Sequence, residues 1–129
     1  MNQGKIDYWV TLSEYDLVVA HALFDKGHYL YVGFMCHQSV EKMIKACCVK
    51  NNIAPPPIHK LDKLLELSGL NTLLTEDQLD LIDELTPLNV QARYPAYKEA
   101  IYKLVGKEKA VEILSRTEAF VTWLKRQIK

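Results

Sequence analysis

Val32, Cys36, Val40, Met43 and Cys47 recur at intervals of three and four residues along the stretch Tyr29 to Asn51, so they share one helical face. Phe34, Met35, Ile44 and Cys48 widen that face. A helix apolar over so much of its circumference is a central one, with other helices on several sides. Asn51-Asn52 and then Pro55-Pro56-Pro57 stop it, because consecutive prolines cannot continue a helix and favour an extended segment.

The same spacing organises the rest of the chain. Ile6, Trp9, Val10, Ser13, Leu17, Ala20, His21 and Phe24 predict a first helix from about Lys5 to Lys26. Gly27 falls where a helix C-terminus favours a left-handed residue. The short Gly27-His28 link predicts an antiparallel hairpin with the central helix. Leu61, Leu64, Leu65 and Leu67 predict a shorter helix, about Lys60 to Ser68, ended by Gly69. Thr75 with Gln78 three residues on forms a capping box, and Glu76 and Asp77 suit the positive end of that helix. Pro87 should end or kink it. Pro95 pushes Tyr94 into an extended conformation, which predicts a break near Arg93 and a short helix from about Ala96 to Val105. Ala110, Ile113, Leu114, Thr117, Phe120, Val121 and Leu124 predict a last helix from about Gly106 to Gln127. There is no strand-like alternation and no internal repeat, so periodicity gives an all-α bundle.

Composition narrows the picture in three ways. A chain of 129 residues is one domain, residues 1–129, able to bury roughly two thirds of its unfolded surface without staples. The formal net charge is zero, so any nucleic-acid contact needs a local basic patch. The three cysteines make no disulfide framework: Cys36 and Cys47 lie roughly 16 Å apart along a helix. MNQGKIDYWV carries no apolar signal core, and no segment is long and apolar enough to span a bilayer. These features predict a reducing, cytoplasmic setting.

Candidate chemistry is sparse. No glycine-rich phosphate loop, HExxH or CxxC pair occurs, and no metal or cofactor is expected. Trp9 and Trp123 fit apolar helix faces and read as packing residues. Cys36, His37, Cys47 and Cys48 match no ligand spacing and read as buried side chains. His37, Gln38, Glu41 and Lys42 cut into the apolar central helix. With Lys45, three of them form a polar face at helical spacing, expected to be solvated and to carry a Glu41–Lys45 pair. His59, in Ile58-His59-Lys60-Leu61, is either an imperfect helix cap or a functional group. Arg93, Tyr94, Tyr97 and Lys98 cluster at the expected break. They suit phosphate or base contacts, or Arg93 ties down helix carbonyls.

Taken together, these pieces resemble the HEPN domain family of helical nucleotide-binding domains. The resemblance is carried by Tyr8-Trp9, Gly27-His28-Tyr29, Phe34 and the run His37-Gln38-Ser39-Val40-Glu41-Lys42-Met43-Ile44-Lys45-Ala46. It continues through Pro56-Pro57-Ile58-His59-Lys60-Leu61 and Arg93-Tyr94-Pro95, and spans about Ile6 to Leu124. It implies an up-and-down bundle of four long helices with one or two additional short ones, a homodimer, and binding of a nucleotide or RNA. It also implies a minimal nucleotidyltransferase as partner in a toxin–antitoxin pair. The implied ligand-binding residues are Arg93, Tyr94, Tyr97, Lys98, His37, Gln38, Glu41, Lys42 and His59. Catalytic members are metal-independent ribonucleases with four to six residues between the arginine and a histidine. Here the candidate histidine positions hold Lys98, Glu99 and Ala100. A lysine is a poor acid–base group at neutral pH. The expectation is a binding module; the alternatives are an endoribonuclease using Arg93 with His59 or His37, and a purely structural dimer.

Overall fold

The computed structural model describes residues 2–89 and 105–129. Among these residues there are five α-helices and no strand. They are α1 (Gln3–Asp25), α2 (Tyr29–Lys50), α3 (Leu61–Ser68), α4 (Glu76–Leu85) and α5 (Lys107–Gln127). Short 3-10 turns cover Asn71–Leu73 and Thr86–Leu88. The expected all-α bundle is what the chain forms. The break near Arg93 and most of the short helix expected from Ala96 lie outside the described residues.

α2 is the axis of the molecule. It packs on α1, α3, α4 and α5 and on the Thr86–Leu88 turn. Val32, Cys36, Val40, Met43, Ile44 and Ala46 are completely buried. Leu61, Leu64, Leu85, Ile113, Phe120 and Leu124 complete the core from the other helices. The apolar circumference of α2 is therefore covered within one chain, and no second copy is needed to hide it.

Three helices end in the same way. Gly27 (φ 81°), Asn52 (φ 60°) and Gly69 (φ 79°) are left-handed. After α1, His28 N–H donates to Leu23 O at 2.9 Å and Gly27 N–H to Phe24 O at 3.0 Å. After α2, Ile53 N–H donates to Cys48 O at 2.9 Å. After α3, Leu70 N–H donates to Leu65 O at 3.2 Å. Each is a six-to-one closure that satisfies orphan carbonyls at the helix end.

The start of α4 follows its local sequence. Gln78 N–H donates to Thr75 Oγ1 at 3.2 Å, and Thr75 N–H to Gln78 Oε1 at 2.9 Å. Pro87 sits in the 3-10 turn that follows α4. That turn lays Leu88 against Gly33 so closely that a Cβ at Gly33 would lie 2.9 Å from Leu88 Cδ1. Glu84 joins α4 to α5 by accepting from Lys109 and, at 2.6 Å, from Arg116. Burial works against the Glu84 carboxylate, but these two donors outweigh it and hold its pKa below the ordinary value.

Candidate functional site

The polar face of α2 is not solvated. Glu41 and Lys45 are only 3% and 5% exposed, and Gln38 and Lys42 are half-buried. Periodicity placed these residues on one face correctly, and Lys45 Nζ does bond Glu41 Oε2, at 3.1 Å. What covers the face comes from elsewhere in the chain. The Trp9 ring of α1 lies under Lys45, with Nζ 5.3 Å from the ring centroid. Asp16 of α1 accepts from Lys42 Nζ at 2.7 Å. Ser13 and Ser39 clasp the two helices, each hydroxyl donating to the other's carbonyl at 2.7 and 2.8 Å. Burial raises the pKa of Asp16 and outweighs the opposing pull of Lys42.

His59 completes this arrangement. It does not cap α3: Lys60 is the N-cap and makes no side-chain cap hydrogen bond, while Asp62 Oδ1 of the first turn accepts from Lys63 N–H at 2.9 Å. Instead, His59 Nδ1 lies 3.0 and 3.1 Å from the two Glu41 oxygens. A carboxylate that already accepts from an ammonium needs a donor, so Nδ1 carries the proton. The other ring nitrogen, Nε2, is then an acceptor in the neutral ring. The His59 side chain is 55% exposed. His37, one turn before Glu41 on α2, is buried with Nδ1 3.9 Å from Glu41 Oε1. One buried carboxylate thus gathers His37, Lys45 and His59.

His37 and His59 also line an open groove of about 880 Å³. Its other walls include Ile58, Leu67, Lys60 and Lys63, and it runs to Thr86 and Asn89. Two lysines and a half-exposed histidine make the rim basic, balanced in part by Glu66, 3.8 Å from Lys63 Nζ. Asn89 is the last described residue before 90–104. Arg93, Tyr94, Tyr97 and Lys98 fall in that segment and lie outside the described residues. Of the other sequence candidates, His37 and His59 line the groove and both approach the buried Glu41, whereas Lys42 is taken up by Asp16.

Sequence reasoning missed Asp16, Lys60 and Lys63. Ser13 and Asp16 did leave a signal, as two polar residues on the inner face of α1. Among the described residues, no group of histidine, cysteine and carboxylate side chains is arranged to hold a metal ion. All three cysteines are buried and free. Burial pushes the Cys36 and Cys47 thiols up to about 12.

Comparison with known proteins agrees with this architecture. The HEPN domain model matches residues 6–127. The fold is similar to that of TT1696 from Thermus thermophilus, with a TM-score of 0.82 at 18% identity over 98% of this chain and 99% of that one. It is also similar to ST0689, an archaeal HEPN homologue, with a TM-score of 0.69 at 24% identity over 96% and 98% of the two chains. No curated protein gives a significant match. No helix among the described residues is long and apolar enough to cross a membrane.

Proposed function

The chain belongs to the HEPN domain family, and from that premise we propose that it is a binding module that takes a nucleotide or single-stranded RNA in the groove beside His59. The observation that carries this reading is the Glu41–His59 contact. A buried carboxylate holds a half-exposed imidazole at the rim of a groove that also carries Lys60 and Lys63. Lysines and a histidine at one rim suit phosphate oxygens, and the apolar floor of Ile58 and Leu67 suits a base or ribose face. Arg93 follows Asn89 by four residues and, with Tyr94 and Tyr97, supplies the planar cation and stacking groups that such a ligand uses. The reading extends to a homodimer partnered by a minimal nucleotidyltransferase, as the family resemblance implies.

The same contact favours a second reading, an endoribonuclease. With Nδ1–H held by Glu41, His59 Nε2 is the nitrogen available to take a proton from a ribose 2′-hydroxyl. That oxygen would then attack the adjacent phosphorus while the bond to the 5′-oxygen breaks, Arg93 offsetting the charge on the phosphoryl oxygens. The 5′-oxygen needs a proton donor, and Lys98 is a weak one at neutral pH.

Fluorescence anisotropy with a labelled single-stranded RNA, competed by free nucleotides, tests the first reading. The expected result is that Arg93→Ala, His59→Ala and Lys63→Ala each weaken binding about tenfold or more while helicity is unchanged. Affinity should fall as salt rises. Binding that is absent from the wild type, or unchanged in all three variants, overturns it. Metal-free cleavage of the same RNA, abolished by both Arg93→Ala and His59→Ala, would promote the second reading.

A further inference from the structure

α1 and α5 both lie on α2 and touch each other far less than either touches α2. They run antiparallel, since Glu14 pairs with Lys125 at 2.7 Å and His21 with Glu118 at 2.9 Å. Two helices resting side by side on a third leave a furrow between them. Toward the end of α1 this furrow holds an open groove of about 500 Å³. Phe24, Val111 and Leu114 make its apolar part, and His21, Asp25 and Glu118 its polar part. Val111 is 49% exposed, a large apolar side chain left in water. The lining contains two carboxylates, one imidazole and no lysine or arginine.

The negative charge of this groove is poorly offset. Lys125 is taken up by Glu14, outside the lining. Glu118 has His21, which is charged only when protonated. The Asp25 side chain has no partner among the described residues. Asp25 is also the last residue of α1, and the last turn of that helix has no basic residue. The C-terminal end of a helix disfavours a carboxylate and favours a cation. Lys26 follows as the C-cap but takes no part in the lining. The positive end of α5 lies on the same side and already has Glu108 in its first turn.

We propose that this groove docks an arginine-bearing amphipathic helix of another protein, with its apolar side on Val111 and Leu114 and a guanidinium between Asp25 and Glu118. Charge complementarity names the occupant. An acidic segment or a nucleic-acid backbone meets like charge here. A second copy presenting the same groove about a two-fold axis would set carboxylates against carboxylates. Arginine suits the site better than lysine, because its planar cation can lie against the Phe24 ring while bonding Asp25. A helix suits it because the α5 wall from Val111 to Glu118 is two turns, roughly 10 Å long. That is the reach of anchors spaced i, i+3 and i+7 in helix-in-groove recognition. This groove shares no residue with the one beside His59, so the inference stands whether or not that one binds RNA.

The probes are two capped helical peptides of about 18 residues, long enough to hold a helix in water. They carry the same leucine stripe, flanked in one by arginine and in the other by glutamate. Each is titrated into the isotope-labelled full chain and followed by backbone amide shifts. The arginine peptide should move Phe24, Asp25, Val111 and Ser115 and bind about tenfold or more tightly than the glutamate peptide. Asp25→Lys should reverse that preference, an exchange that loss of a merely structural contact would not produce. Val111→Ser should weaken the arginine peptide several-fold. Asp25 and Val111 are exposed, so helicity should stay that of the wild type. If Asp25→Lys loses helicity, Asp25→Asn decides, and it should weaken the arginine peptide. An arginine peptide that does not bind overturns the proposal. So do equal affinities for the two peptides, or shifts centred on Lys60 and Lys63. A fall in the mass read by light scattering on Asp25→Lys would show a second copy seated there, and also overturns it.

Discussion

Removing the Glu41 carboxylate from water is unfavourable, and the fold offsets it with Lys45 at 3.1 Å and His59 at 3.0 Å. Such a group is more consequential when half of it is missing than when all of it is present. Glu41→Ala leaves the Lys45 ammonium buried beside the Trp9 face without the counter-charge of Glu41. The expected loss is about 3–5 kcal/mol in urea unfolding. Replacing both partners, as Glu41→Leu with Lys45→Met, should recover most of that loss. A Glu41→Ala protein as stable as the wild type would show that the ammonium finds water. The helical spacing around Glu41 was legible in the sequence, and so was its pairing with Lys45. Its burial was not. Periodicity tells which residues share a face, but the cover over this face comes from Asp16, 25 positions earlier, and from His59, 18 positions later. The role of His59 was hidden for the same reason, since its partner is remote in the chain. Arg93 and its neighbours are known from the sequence alone.

At the scale of elements, the features that depend on a few neighbouring residues were the most readable. The capping box of α4 uses Thr75 and Gln78 and nothing distant. Thr75→Ala removes the side-chain acceptor for the Gln78 N–H and should cost about 1 kcal/mol, read as a shift of the denaturation midpoint with unchanged slope. A shift within error would show that solvent replaces the cap. Gly27 and Gly69 were legible as helix stops because glycine meets the left-handed conformation without strain. Asn52 does the same work, as asparagine tolerates that region better than most residues. The close approach of Leu88 to Gly33 was not legible, because it depends on where the turn after α4 lands on α2.

Considered as a whole molecule, the bundle seals its nucleophiles inside. Cys36, Cys47 and Cys48 are spread along the central helix, and reaching them requires the surrounding helices to part. With two thiols pushed up to about 12 by burial, almost no thiolate exists at neutral pH in the closed state. Ellman's reagent should label the native protein only at the rate of global opening, and all three sites together. A single thiol reacting within seconds would point to a local opening instead.

The shortness of the link after α1 has a consequence for how the bundle assembles. Among the described elements, α1 packs more extensively on α2 than any other pair pack on each other, and Lys26, Gly27 and His28 alone separate them in the chain. The entropic penalty of bringing two segments together grows with the length of chain between them. The most extensive contact among the described helices is therefore also one that demands a very short loop. By contrast, Cys47 of α2 donates to Leu124 of α5 across 77 positions. Low contact order in the first half of the chain and high contact order in the second make the hairpin the natural template, and the docking of α5 the slow search.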